Sequence, residues 1–184
     1  MRQLPNFITS LRLLASPLSV WLLTHFRFRA ALALVLLAGL TDWLDGFAAR
    51  RYGASGRLGA ILDPLADKTM LVLLFVTLGL LGFIPPWLVA LVIVRDLVIV
   101  IGAALLRFFR NIRIFRPSVL GKVSTFFQIV FVLLILLQTA FPDPVIRLLE
   151  NVAMICTTAF TFLSGIGYVR IGVRLARATS EVRA

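Results

Sequence analysis

Apolar runs of membrane-spanning length, separated by short breaks that carry charge, glycine or proline, leave this chain few ways to fold. A bilayer core about 30 Å thick needs about 20 consecutive apolar residues to cross it as a helix. The first run follows a polar opening and ends near residue 24; the others occupy about 30–51, 59–81, 87–109, 117–140 and 144–171. Of the 184 residues 60% are hydrophobic and the mean hydropathy is +1.01, against about 45–50% apolar residues in a soluble domain. The expectation is an all-α integral membrane protein with six transmembrane helices, one domain over residues 1–184 and no soluble module. Arg12 interrupts the first run and no small-residue cleavage site follows, so that run is read as a span rather than a signal peptide. Pro5-Asn6 followed by Thr9 or Ser10 reads as a helix entry with its cap.

The charge distribution orients the spans. The net charge is +11, which in a soluble protein would suggest nucleic acid. Here the arginines flank apolar runs, and an anionic membrane surface is the better partner. In a six-span layout the N-terminus, the 50–58 turn, the 107–122 loop and the C-terminus share one side and carry 14 of the 19 Lys and Arg. That side is expected to be cytoplasmic, with both termini on it. Arg27, Arg29 and Arg147 fall opposite. The lone Cys156 can form no intramolecular disulfide, and His25 reads as a surface loop residue rather than a ligand.

Against this apolar background, residues 42–67 hold four of the eight acidic residues: Asp42, Asp45, Asp63 and Asp67. Carboxylates at membrane depth cost about 2.5–3.5 kcal/mol each, so four facing lipid would cost about 10–14 kcal/mol. A divalent cation is the simplest compensation. Asp42, Asp45, Gly46 and Ala49 span about 100° of one helical face, and Gly59, Asp63 and Asp67 make a stripe at i, i+4, i+8. If the glycine-bearing segment 52–58 closes an antiparallel hairpin, Asp45 comes level with Asp63, Asp42 with Asp67 and Arg50 with Gly59. The carboxylates then form two tiers about 12–18 Å from the cytoplasmic end, counted by helical rise. Oxygen-only ligands suit Mg²⁺ or Mn²⁺, and four carboxylates can hold a pair of ions. Asp63-Pro64 additionally reads as an N-cap with proline at the first helical position.

The spacing D-x-x-D-G-x-x-A-R-x8-G-x3-D-x3-D is met at every defined position from Asp42 to Asp67. It resembles the signature of the CDP-alcohol phosphotransferase family, integral membrane enzymes of phospholipid synthesis, and the likeness covers nearly the whole chain. The resemblance implies transfer of a substituted phosphate from a CDP-alcohol to a hydroxyl with release of CMP. It implies two divalent cations held by Asp42, Asp45, Asp63 and Asp67, with Asp67 as the base that takes the hydroxyl proton. Gly46, Ala49, Arg50 and Gly59 would line the donor nucleotide site, with Asn6, Thr9 and Arg12 as further candidates whose other role is capping and anchoring. Some members use a serine in the turn, where this chain has Gly56 beside Ser55. A homodimer in the bacterial inner membrane, with the active site facing the cytoplasm, is the family expectation.

Leu40-Thr41-Asp42 to Phe47 and Leu62-Asp63-Pro64 to Lys68 resemble the branch that acts on glycerol-based acceptors, with CDP-diacylglycerol as donor. Arg95-Asp96, where phosphatidylglycerophosphate synthases often carry Arg-Glu, and Lys122-Val-Ser-Thr125 lean toward CMP-forming cardiolipin synthases, hence toward phosphatidylglycerol as acceptor. Glycerol 3-phosphate is the alternative. Both acceptors are anionic, and Arg95, Arg116 and Lys122 are the cationic candidates for binding them. Neighbouring residues on a helix point about 100° apart, so Arg95 and Asp96 are expected to serve different partners. The basic loop 107–122 also fits plain cytoplasmic flanking charge. A cation transporter would likewise bury carboxylates within spans, but it has no need of Gly46, Ala49, Arg50 and Gly59 in that register. A non-catalytic membrane scaffold has no need of four intramembrane aspartates. Metal-dependent CMP release separates the enzyme from both.

Overall fold

The computed structural model describes the backbone of residues 4–52, 59–110 and 119–180 and the side chains of residues 14–41, 68–102 and 119–170. Among these the chain forms six α-helices and no strand: α1 (Leu4–Thr24), α2 (Phe28–Tyr52), α3 (Gly59–Leu80), α4 (Pro86–Arg110), α5 (Val119–Ala140) and α6 (Pro144–Ser180). The bounds of α2 to α5 fall within two residues of the apolar runs. Three expectations are corrected. The last helix continues to Ser180 rather than stopping near 171, because nothing in Gly172-Val-Arg-Leu-Ala-Arg-Ala breaks a helix once it is propagating. Helix α1 already begins at Leu4, so Thr9 and Ser10 lie inside it instead of capping it. Helix α3 already begins at Gly59, so Asp63 is an interior helical position, not the N-cap.

The helices are 21–37 residues long, or about 32–56 Å at 1.5 Å per residue. Where side chains are described, Val119–Ala140 and Pro144–Arg170 are long and apolar enough to cross a membrane, and Leu14–Thr24, Phe28–Thr41 and Lys68–Leu80 are shorter apolar stretches. Polarity is arranged accordingly. Large apolar side chains such as Leu14, Leu37, Phe126, Leu148, Ile155 and Phe162 are exposed, while Ser19, Ser124, Gln128, Thr157, Thr161 and Ser164 are buried. In a bilayer, lipid is as apolar as leucine, so helices are joined by close packing of small residues and by hydrogen bonds between them. Among the described residues no buried side-chain nitrogen or oxygen lacks a partner.

The chain divides into two compact units: Met1–Ile84 with Val132–Ile146, and Pro85–Phe131 with Arg147–Ala184. In the first unit α1 packs against both α2 and α3. Its buried face carries Ala15, Ser16 and Ser19, and such small residues permit close helix approach. Leu23, Phe75, Leu78, Ile135 and Leu136 fill the interior of this unit. Two helix ends in it share one geometry. At the end of α3, Phe83 N donates to Leu78 O (2.9 Å) and Gly82 N to Gly79 O (3.1 Å), with Gly82 at φ 82°. At the end of α1, Arg27 N donates to Leu22 O (2.8 Å) and Phe26 N to Leu23 O (3.0 Å), with Phe26 at φ 55°. Both are Schellman caps, which need a left-handed residue after the helix. Glycine adopts that conformation readily, whereas for phenylalanine it costs about 1–2 kcal/mol. The start of α6 is capped by Asp143, whose Oδ1 accepts from Val145 N (2.7 Å) and Ile146 N (3.3 Å). Pro144 holds the first helical position, where no N–H is needed.

Candidate functional site

The motif positions lie on two successive helices. Asp42, Asp45, Gly46, Ala49 and Arg50 are in the C-terminal half of α2, and Gly59, Asp63 and Asp67 in the first turns of α3. Both helices belong to the first unit. The continuous helical backbone puts Asp42, Asp45, Gly46 and Ala49 on one face of α2, and Gly59, Asp63 and Asp67 on one face of α3. The side chains of all eight lie outside the described residues, as do those of Asn6, Thr9 and Arg12 on α1. The turn with Ser55 and Gly56, on which the two-tier pairing depends, is outside them too, as is Arg116. Among the described side chains no group of three His, Cys, Asp or Glu could hold a metal ion. The four motif carboxylates lie outside the residues that statement covers; carboxylate oxygens are hard ligands of the kind Mg²⁺ and Mn²⁺ take.

In the second unit Arg95, at the middle of α4, is 4% exposed. Every nitrogen of its guanidinium donates to protein. Nε and Nη2 donate to Ser164 Oγ on α6 (3.2 and 3.1 Å), Nη2 also to the Gly121 carbonyl on α5 (3.0 Å), and Nη1 to Asp96 Oδ1 (2.6 Å). The expectation that Arg95 and Asp96 serve different partners is corrected here. Their helical directions do diverge, but the long arginine stem lets Nη1 fold back to the neighbouring carboxylate, and a buried cation gains most from a charge-assisted bond. Gly165 leaves room beside this stem; a Cβ there would sit 3.9 Å from Arg95 Cγ. Lys122 follows Gly121 in the first turns of α5 and is exposed.

A line of buried hydroxyl and amide groups continues from Arg95 between α5 and α6. The Ser124 and Thr161 hydroxyls lie 3.1 Å apart, Gln128 Nε2 donates to Thr161 Oγ1 (3.1 Å), and Thr157 Oγ1 donates to the Phe127 carbonyl (3.0 Å). Phe127 and Phe160 stack beside it with centroids 5.0 Å apart. The sequence reading did not single out this seam. Its signal was present as small and polar residues at helical spacing, Gly121, Ser124 and Gln128 against Thr157, Thr161 and Ser164.

Charged residues elsewhere have local roles. Arg29 Nε donates to the Ala140 carbonyl at the end of α5 (3.3 Å), and its guanidinium lies 5.1 Å from the Phe141 ring centroid. That placement satisfies a terminal carbonyl and sets a cation at the negative end of a helix. His25 is in the turn after α1, exposed, with Nδ1 2.8 Å from Trp21 O and its ring against the Trp21 indole. It is a surface histidine, as expected.

Comparison with known proteins agrees with the motif. The CDP-alcohol phosphatidyltransferase family matches residues 2–163. A CDP-diacylglycerol–glycerol-3-phosphate 3-phosphatidyltransferase from Aquifex aeolicus is 33% identical over 175 residues, covering 93% of this chain and 96% of the relative. The chloroplastic enzyme of the same activity from Oryza sativa is 31% identical over 182 residues, covering 90% of this chain and 55% of the relative. A cardiolipin synthase (CMP-forming) from Rattus norvegicus is 30% identical over 178 residues, covering 86% and 57%. The chain thus spans little more than half of the rice and rat proteins and nearly all of the Aquifex one. With a match across most of its length and the full aspartate spacing on α2 and α3, the chain belongs to the CDP-alcohol phosphatidyltransferase family.

Proposed function

We propose that this protein transfers the phosphatidyl group of CDP-diacylglycerol to a hydroxyl of an anionic, glycerol-based acceptor and releases CMP. The observation that carries the reading is the complete D-x-x-D-G-x-x-A-R-x8-G-x3-D-x3-D spacing on two successive helices of one unit. Asp42, Asp45, Asp63 and Asp67 hold two divalent cations, Mg²⁺ or Mn²⁺. When bound, these cations supply charge neutralisation for the pyrophosphate and the departing CMP. Gly46, Ala49, Arg50 and Gly59, with Asn6 and Thr9, bind the donor nucleotide. Asp67 takes the proton of the acceptor hydroxyl as its oxygen bonds to phosphorus and the phosphorus–oxygen bond to CMP breaks. Arg95, Arg116 and Lys122 are the cationic residues on which acceptor binding depends. The chain acts as one phosphatidyltransferase domain with six spans and cytoplasmic termini, as a homodimer in a bacterial inner membrane.

Two acceptors compete. Arg95-Asp96 and Lys122-Val-Ser-Thr125 favour phosphatidylglycerol, and hence cardiolipin as product. The relative matched along 96% of its length is named for glycerol 3-phosphate, which favours phosphatidylglycerophosphate. Purified protein given labelled CDP-diacylglycerol, Mg²⁺ or Mn²⁺ and each acceptor separates the two by product. Turnover of glycerol 3-phosphate alone would exclude cardiolipin synthesis. Absence of CMP release with either acceptor and either metal would remove the whole reading.

A further inference from the structure

We infer that Arg95 is a positioning residue, which fixes the first turns of α5 and thereby the place from which Lys122 meets the acceptor. This rests on the proposed role of Lys122 in acceptor binding. Three observations carry it. The guanidinium is buried and each of its nitrogens is already committed, to Asp96 on its own helix, Ser164 on α6 and the Gly121 carbonyl on α5. A phosphate-binding arginine instead turns its fork toward the ligand. The Gly121 carbonyl immediately precedes exposed Lys122 and accepts from Thr125 Oγ1 as well (3.1 Å), so the backbone at the base of Lys122 is held from two directions. Beyond it, Ser124, Thr161 and Gln128 fix the register of α5 against α6. Arg95 therefore ties α4, α5 and α6 together one residue before the lysine. Its planar fork reaches two helices at once, which the single ammonium of lysine does poorly.

Ser164→Ala tests this without touching any charge, since it removes the oxygen that receives both Nε and Nη2. Steady-state kinetics on the full-length enzyme use CDP-diacylglycerol with whichever of phosphatidylglycerol and glycerol 3-phosphate is turned over. Ser164→Ala and Arg95→Lys should each raise the acceptor KM by about three- to sixteen-fold, the range set by hydrogen bonds between helices in a bilayer. The donor KM should stay within about twofold, and Ser164→Thr, which keeps the hydroxyl, should restore the acceptor KM. Lys122→Met should raise the acceptor KM too, and adding Ser164→Ala to it should change little further, because the two act on one contact. Multiplying effects in the double variant would overturn the inference and make Arg95 an independent ligand. A parallel fall in kcat, donor affinity and melting temperature would overturn it in favour of a plain folding role. If Lys122→Met alone leaves the acceptor KM unchanged, the inference falls because the acceptor assignment of Lys122 has failed, while CMP release from CDP-diacylglycerol would still report on the transferase reading.

Discussion

Replacing Thr161 by valine isolates what the buried polar seam contributes. Valine has nearly the shape of threonine, so the change removes a hydroxyl and leaves no cavity. That hydroxyl lies 3.1 Å from Ser124 Oγ and accepts from Gln128 Nε2 at 3.1 Å, and it is fully buried. After substitution the Gln128 amide keeps only its longer contact to Ser124 Oγ, at 3.4 Å. Hydrogen bonds between helices in a bilayer average about 0.6 kcal/mol and reach about 1.7, so losing two removes about 1.2 kcal/mol. A buried donor left short of a partner raises the cost toward about 3 kcal/mol. Thr161→Val should therefore destabilise the protein by about 1–2.5 kcal/mol, a fall of about 2–10 °C in melting temperature for a chain of this length. The lone Cys156, half-buried on the same helix, can report unfolding in detergent through a thiol-reactive fluorophore. Adding Gln128→Leu should give back part of the loss, since it removes the amide left short of a partner, while the Ser124 hydroxyl can turn to its own helix backbone. The reasoning is wrong if Thr161→Val melts with the wild type, or if the two substitutions simply add.

Asp42→Asn, Asp45→Asn and Asp63→Asn should each lower transfer by more than about a hundredfold, beyond what indirect changes at metal sites produce, with expression unchanged; full activity in EDTA would refute the metal role. Cysteines placed at Ser55, Arg113 and Ala184 in a Cys156→Ala background should react only with reagent on the cytoplasmic side, and labelling at 113 from outside would break the six-span topology. Gly82→Ala should lower stability by about 1 kcal/mol, because φ is 82° there although no atom lies within 4 Å of the added Cβ. Gly39→Ala, also in open space but on helical backbone, should be neutral or stabilising; a loss of equal size at both positions would show that crowding rather than backbone conformation governs Gly82.

How much could be read beforehand depends on which forces act over a short stretch of chain. The bounds of α2 to α5 were legible because the breaks between apolar runs are chemically abrupt, as at Gly82 to Pro86 and Phe141 to Pro144. The motif aspartates were legible because carboxylates among leucines demand compensation, and their spacing fixes helical faces without knowledge of neighbours. Periodicity does not pair those faces, since that depends on the segment 53–58, which lies outside the described residues. Phe26 carried no signal for its left-handed conformation, which glycine or asparagine would have announced; there the geometry of the cap outweighs a local preference of about 1–2 kcal/mol. Arg95 was hardest of all. Its charge marked it as important, but its partners are a serine 69 residues away and a backbone carbonyl 26 residues away. Neither stands out in sequence, because a lone hydroxyl in an apolar helix can satisfy itself on its own backbone, as Thr139 does with the Ile135 carbonyl. What turns Ser164 from such a self-bonded hydroxyl into an arginine partner is the register between helices, and register is set by the seam as a whole. A charge in an apolar run therefore says that partners exist, and only the packed helices show which protein groups they include; for Arg95 these are Asp96, Ser164 and the Gly121 carbonyl.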